Sequence, residues 1–228
     1  MAITGASRGL GRALALALAR EGASLALCAR GEADLEAAAD AARRYGGTVV
    51  ALSADVGSPP DIERFAATAL AQLGRVDVLI NNASDLGPTP LPFLSDAPSE
   101  GLQRVLDVNV IGAFRMTQAL IGGMLMRGSG LVLNITSDAA VEGYPGWGLY
   151  GASKAALEAL TRSWNAELEG SGVRLIAIDP GDMNTAMHRA ADPEADPASL
   201  RNPDDVAAAM VELLVGGFSG AGRVGVSL

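Results

Sequence analysis

An α/β domain with a doubly wound parallel sheet is the fold class that this sequence predicts. Three observations carry the expectation. Short, continuously apolar runs alternate with helix-length segments from one end of the chain to the other. The 228 residues are 49% hydrophobic but only 4% aromatic, so the core must be built from Ala, Val, Leu and Ile. Glycine, at 28 residues, is abundant enough for tight turns and for helices lying close on a sheet. Strands that are apolar throughout, rather than at every second residue, belong to a parallel sheet covered on both faces. About seven strands with helices on both faces are expected, in a single domain spanning 1–228, a length that suffices for one well-buried core.

The elements follow in order. Met1 to Thr4 reads as a first strand, and the glycine-rich turn from Gly5 to Gly11 leads into a helix from Arg12 to Arg20. Ser24 to Ala29 is an apolar strand, followed by an Ala/Glu-rich helix over Glu32 to Tyr45. Thr48 to Ser53 is the third strand. The third helix runs from Pro60 to Leu73, its start marked by the Pro59-Pro60 pair. Val76 to Ile80 forms strand four. A proline-rich loop over Gly87 to Pro98 precedes one long helix from Glu100 to Met126. Gly130 to Ile135 is strand five, Gly151 to Leu168 the next helix and Val173 to Ile178 strand six. The polar stretch from Asp192 to Pro203 reads as a loop, part of a short lid over about 186–203. A helix over Asp204 to Leu214 and a strand over Arg223 to Val226 close the chain. No repeat or linker interrupts the alternation.

Composition removes several functional classes. A net charge of −9 argues against nucleic acid or an anionic membrane as partner. The apolar runs suggest neither a membrane span nor a signal peptide. One cysteine, Cys28, excludes an internal disulfide and fits a reducing cytoplasm; it reads as a small buried apolar residue. One histidine, His188, is too few for a zinc site or a Ser-His-Asp triad, so no metal is expected, and His188 reads as a solvent-facing or lid residue.

Chemistry points first to Tyr150-Gly-Ala-Ser-Lys154. Lys154 is the only lysine in the chain; the other sixteen basic side chains are arginine. Residues four apart on a helix share a face, so phenol and ammonium can address one site. A fixed positive charge beside a phenol lowers its pKa, which makes Tyr150 a candidate general acid/base. In an open parallel sheet, ligands bind at the carboxyl ends of the strands. Gly5-x-x-x-Gly9-x-Gly11 lies there, where glycines allow a sharp turn and close approach to a pyrophosphate at a helix N-terminus; a purely structural turn is the other reading. Asp55-Val56 and Asn81-Asn82-Ala83-Ser84 also end strands, as cleft residues or as plain turn formers. Asn109 sits inside a helix it disfavours. Thr136-Ser137 closes strand five and Pro180-Gly181, with Thr185 beyond, closes strand six.

Together these motifs resemble the short-chain dehydrogenase/reductases: Thr4-Gly-Ala-Ser-Arg-Gly-Leu-Gly11, Asp55-Val56, Asn81-Asn82-Ala83, Asn109, Ser137, Tyr150-x-x-x-Lys154 and Pro180-Gly-x-x-x-Thr185. The resemblance implies a Rossmann-type domain, a nicotinamide cofactor and hydride transfer between it and a carbonyl or alcohol. It implies that Tyr150 is the acid/base and that Lys154 lowers its pKa and binds the nicotinamide ribose. Ser137 would hold the substrate oxygen, and Asn109 a water linking Lys154 to solvent. It assigns the cofactor to Gly5, Ser7, Arg8, Gly9, Leu10, Gly11, Arg30, Asp55, Val56, Asn82, Ala83, Tyr150, Lys154, Pro180, Gly181, Met183 and Thr185. Leu86, Val141, Tyr144, Trp147, Asp182, Met183 and Met187 would shape the substrate pocket, Trp147 as a wall or as core. Ser84 departs from the family, which usually has Gly there. The first strand has little before Ile3, so the native N-terminus could extend further, and the end at Leu228 lacks the family's Asp-Gly-Gly tail. A homodimer or homotetramer acting on a small molecule in the cytoplasm is implied. A dinucleotide sensor without turnover, or a dehydratase or epimerase on the same fold, stays open beside it.

The cofactor is expected to be NADP(H). Dinucleotide folds place an acid after strand two to bind a ribose 2′-hydroxyl, or an arginine to accept a 2′-phosphate. Here Ala29 stands where the family's NAD users carry Asp, no carboxylate follows until Glu32, and Arg30 and Arg8 offer planar, permanent charge.

Overall fold

The computed structural model describes residues 1–217 and 222–227; the C-terminal residue Leu228, whose tail the sequence singles out, lies outside them. Seven parallel strands form one sheet: β1 (Ala2–Thr4), β2 (Leu25–Ala29), β3 (Val49–Ser53), β4 (Val78–Asn81), β5 (Gly130–Ile135), β6 (Val173–Asp179) and β7 (Gly222–Gly225). Their order is β3-β2-β1-β4-β5-β6-β7, so the direction of winding reverses between β1 and β4. Helices α1 (Gly9–Arg20), α2 (Glu32–Arg43), α3 (Pro59–Leu73), α4 (Ser99–Leu106), α5 (Ala113–Arg127), α6 (Gly148–Glu167), α7 (Ala186–Ala191) and α8 (Pro203–Gly216) connect the strands. The fold is the doubly wound, Rossmann-like sheet that the alternation predicts.

Why the sheet is buried on both sides is visible in β2. Leu25 and Leu27 enter one core with Leu14, Leu18, Val206 and Met210, from α1 and α8. Ala26 and Cys28, pointing the other way, enter a second core with Phe65, Met116, Leu120 and Met124, from α3 and α5. All five β2 residues are buried. Each fully buried Leu or Ile side chain contributes roughly 1.5–3 kcal/mol, which is how a core nearly without aromatics is held.

Three local differences from expectation bear on the site. The first helix starts at Gly9 rather than Arg12, because Arg8 is still extended (φ −155°) and the last turn of the glycine loop is already helical. The long helix expected over 100–126 is interrupted by a π-helical segment over Asp107–Gly112, centred near Asn109. The i→i+5 turn is characteristic of functional positions, and here the amide of Asn109 is pulled into contacts outside its own helix. Finally, α6 begins at Gly148 instead of Gly151, so Tyr150 and Lys154 are both held on a formed helix. By length and composition alone, Ser99–Arg127 would be long and apolar enough to cross a membrane; 56% of its most apolar window is buried against the rest of the fold.

Candidate active site

The β1 and β4 ends are stitched together before any ligand is considered. Thr4 Oγ1 accepts the backbone N–H groups of Asn82 and Ala83, each at 3.0 Å. Asn82 Nδ2 donates back to the carbonyls of Thr4 (3.0 Å) and Gly5 (3.1 Å). Gly11 packs directly beneath this turn: a Cβ there would lie 2.3 Å from the Gly5 carbonyl oxygen and 2.4 Å from Asn82 Nδ2. Gly11, assigned to the cofactor by resemblance, is therefore buried behind the loop and does not line the cleft; its role is to let helix and turn approach. At Gly9 (φ +53°) a Cβ would point across the cleft to touch Thr185 at 3.4 Å. Bare backbone there leaves a concavity at the start of α1, whose free N–H groups favour an anion.

A cleft of about 670 Å³ runs from this loop along the strand ends, within the range of small-molecule and cofactor sites. Gly5, Ser7, Arg8, Gly9, Leu10, Arg30, Asp55, Val56, Asn82, Ala83, Ser137, Tyr150, Lys154, Pro180, Gly181, Met183 and Thr185 all line it. Of the residues assigned to catalysis or to the cofactor, Gly11 and Asn109 do not. Glycine cradle, helix N-terminus and basic rim fit a dinucleotide. Asp55 also forms its own turn, accepting the N–H of Gly57 at 2.9 Å, so both sequence readings of it hold.

At the β2 end, the absence of a nearby carboxylate is a property of the sequence and not of the space. Asp34 lines the cleft, and Asp85, from the β4–α4 loop, lies 3.9 Å from Arg30. Arg104 holds the same Asp85 carboxylate at 2.9 Å, and the Arg30 side chain is 51% exposed. At 3.9 Å, with Asp85 already held by Arg104 and the guanidinium half exposed, the pair is weak, and Arg30 lines the cleft.

The opposite end of the cleft holds the candidate proton-transfer groups. Lys154 is 2% exposed and donates to the Ile135 carbonyl at 2.8 Å. Its Nζ stands 5.3 Å from the Tyr150 ring centroid. Burial pushes the Lys154 pKa down to about 7. The Tyr150 phenol moves the other way: burial first, and then the negative charges of Asp179, Asp138 and Asp182, hold it above the ordinary value, against a hydrogen bond with Ser84. In the dinucleotide-free cleft, desolvation disfavours the charged form of both groups. A phenol raised in this way holds its proton at neutral pH.

Ser137 lies at the end of β5 with its hydroxyl donating to Asp138 Oδ1 at 2.8 Å and accepting from Ala139 N at 3.2 Å. Asn109 is 1% exposed, and its side-chain amide is fully used. Its Oδ1 accepts from Ser84 Oγ (3.2 Å) and Asp85 N (2.7 Å), while Nδ2 donates to Asp85 O and Ser153 Oγ, both at 2.9 Å. Ser153 in turn donates to the Tyr150 carbonyl at 2.6 Å. The side chain of Asn109 therefore braces the Ser84–Asp85 loop against the tyrosine's own turn, and no hydrogen bond joins it to Lys154. Ser84, noted in the sequence for standing where glycine is usual, is the residue that reaches the phenol; Ser153 gave no signal beyond its place inside the motif.

On the substrate side, five of the seven expected residues line the cleft. Leu86, Trp147, Met183, Met187 and Asp182 line the cleft, with Trp147 edge-on to Tyr150 at 5.7 Å. Val141 and Tyr144 do not line it: Val141 is 61% exposed, and Tyr144 donates to Asp138 Oδ2 at 2.8 Å. His188 does line it, its side chain 13% exposed and Nδ1 at 3.7 Å from Asp182 Oδ1, so it is neither solvent-facing nor unoriented. The 186–203 segment starts as α7, capped by Thr185 Oγ1, which accepts the His188 N–H at 3.1 Å.

Known proteins resemble this arrangement in both sequence and shape. A 3-oxoacyl-[acyl-carrier-protein] reductase of Synechocystis is 38% identical over 189 residues, covering 81% of this chain and 74% of its own. The glycine betaine reductase ATRR of Emericella nidulans is 36% identical over 222 residues, 93% of this chain; the match spans only 17% of that longer protein. An alcohol dehydrogenase of the archaeon Thermococcus sibiricus, complexed with 5-hydroxy-NADP, superposes with a TM-score of 0.87 at 31% identity, covering 98% of this chain and 94% of that one. An NAD+-bound xylitol dehydrogenase superposes equally well, with a TM-score of 0.87 at 28% identity and coverage of 99% and 96%. The short chain dehydrogenase family model matches residues 1–196, and with the cleft, its glycine turn and the tyrosine–lysine helix on one sheet, the chain belongs to the short-chain dehydrogenase family of oxidoreductases, which bind a nicotinamide dinucleotide.

Proposed function

We propose that this protein is a single-domain, cytoplasmic, NADP(H)-dependent oxidoreductase that interconverts a carbonyl and an alcohol, with Tyr150 as general acid and base. The observation that carries the reading is the meeting of Tyr150, Lys154 and Ser137 at one end of a cleft whose other end offers a glycine cradle with Arg8 and Arg30. A bound nicotinamide supplies or accepts the hydride. In the direction of reduction, the substrate oxygen gains negative charge, and Tyr150 breaks its O–H bond to form the O–H bond of the alcohol. Because the phenol is held above its ordinary pKa, it keeps that proton at neutral pH until the oxygen demands it. Lys154 lies near enough to stabilise the phenolate left behind. The Ser137 hydroxyl turns from Asp138 to the same oxygen as a second donor, the logic of a preplaced oxyanion site. Trp147, Leu86 and Met187 give the organic part of the substrate an apolar wall.

Screening carbonyls and alcohols for a change in nicotinamide absorbance identifies a working substrate. On it, Tyr150→Phe should abolish turnover and leave dinucleotide affinity within about a few-fold, since the proton and not the ring does the chemistry. A variant that keeps most of its rate would refute the assignment.

A further inference from the structure

We infer that Arg223, on the last strand and outside every motif of the cleft, is a positioning residue that sets Ser137 and the Pro180–Gly181 turn against the helix carrying Tyr150. The inference rests on the reading of Ser137 and Tyr150 given above. One guanidinium makes three hydrogen bonds, each to a different element. Its Nε donates to Glu158 Oε1 at 3.0 Å, and its Nη2 donates to the Ser137 carbonyl at 3.1 Å and to Asp179 Oδ2 at 2.7 Å. Glu158 lies on α6, one turn beyond Lys154. Ser137 follows β5, and Asp179 is the last residue of β6.

The acceptors are themselves committed. Glu158 Oε1 also accepts from Thr136 Oγ1 at 2.7 Å, and the other oxygen of Asp179 accepts the Gly181 N–H at 2.9 Å. The carboxylates of Glu158 and Asp179 are only 6% and 14% exposed, and buried carboxylates need a paired cation. Arg162 reaches Glu158 only at 4.0 Å, on its other oxygen. Arginine suits the place because its planar fork presents several N–H groups in fixed directions, where a lysine offers one compact ammonium. Register puts it there: Arg223 pairs with Ala177 in the β6–β7 ladder, beside the strand end that carries Asp179. Removing it takes the shared cation from two carboxylates that have little solvent and frees the backbone of Ser137, and a misplacement of about 1 Å in such a site costs on the order of a hundred-fold in rate.

The test uses Arg223→Met, Arg223→Lys and the double variant Arg223→Met/Glu158→Gln, on the full chain. The double variant removes one stranded charge while keeping the acceptor for Thr136, so it restores folding if the single variant loses it. Three readouts are compared: kcat and substrate KM, dinucleotide affinity by fluorescence titration, and the unfolding temperature. Arg223→Met and the folded double variant should lose roughly ten- to a hundred-fold in kcat, with KM and dinucleotide affinity within about three-fold of wild type. Arg223→Lys should recover only part of the rate. A folded double variant with kcat within about three-fold of wild type, a full recovery by lysine, or a rate loss matched by an equal loss of dinucleotide affinity would each overturn the inference. Tyr150→Phe, run in parallel, separates the two failures. If it keeps its rate, the reading of the site is wrong; if it is inactive while the Arg223 variants are fully active, only the role of Arg223 falls.

Discussion

Replacing Lys154 by methionine should stabilise the dinucleotide-free protein at neutral pH while ending its activity. The lysine is 2% exposed, and burial takes its pKa from 10.5 down to about 7. In the unfolded chain the amine is charged up to about pH 10.4. At about 1.4 kcal/mol per pH unit between those limits, folding around it costs on the order of 4 kcal/mol at pH 7. Methionine fills similar space without that cost, but leaves the Ile135 carbonyl without its 2.8 Å donor, a loss of about 1–3 kcal/mol. A net gain of roughly 1–3 kcal/mol remains, worth about 3–8 °C in Tm for a chain of this size. The sign of the pH dependence follows from the direction of the shift. Between about pH 7 and 10.5 the unfolded chain binds a proton that the folded one does not, so wild-type stability rises with pH through that window. Methionine has no such term, and its advantage should shrink by about 1.4 kcal/mol per pH unit and vanish near pH 9. Urea or thermal melts of both proteins at pH 7 and pH 9.5 read this directly. A Lys154→Met protein less stable than wild type at pH 7, or a difference that does not change with pH, would refute the argument that desolvation governs this residue. Stability gained by deleting a buried functional charge is the usual exchange between activity and stability.

Arg30→Ala should weaken NADPH about ten-fold or more and NADH hardly at all, if one charged hydrogen bond contributes about 1.5–3 kcal/mol; equal losses, or a wild-type preference for NADH, would remove the NADP(H) assignment. Asp85 at 3.9 Å makes this the more demanding test, because it could draw Arg30 away from a phosphate. A homodimer or homotetramer is expected, since α6 leaves Ala159 exposed and Ala155, Ala156 and Leu160 half-buried, a small apolar face suited to close helix packing. A monomeric mass in light scattering at micromolar concentration would contradict it.

What the sequence determined by itself was the part of this protein that is local along the chain. Continuous apolar runs such as Leu25–Ala29, short and set between helix-length segments, read as strands buried on both faces, and their alternation with helices predicts a doubly wound sheet. Glycines 5, 9 and 11 mark the turn, and the i,i+4 spacing of Tyr150 and Lys154 puts both on one helix face. Even the misfit of Asn109 in its helix was legible, although the π-helical turn that answers it was not. Only the tertiary structure decided the charge states and the partners. Desolvation sums over everything packed around a group, so burial raises the Tyr150 phenol and lowers the Lys154 ammonium, which their spacing alone does not carry. Likewise Asp85 comes to Arg30 from 55 residues away, and Arg223 reaches Ser137 across 86. No period or motif carries such contacts, because they depend on which strands the sheet sets side by side.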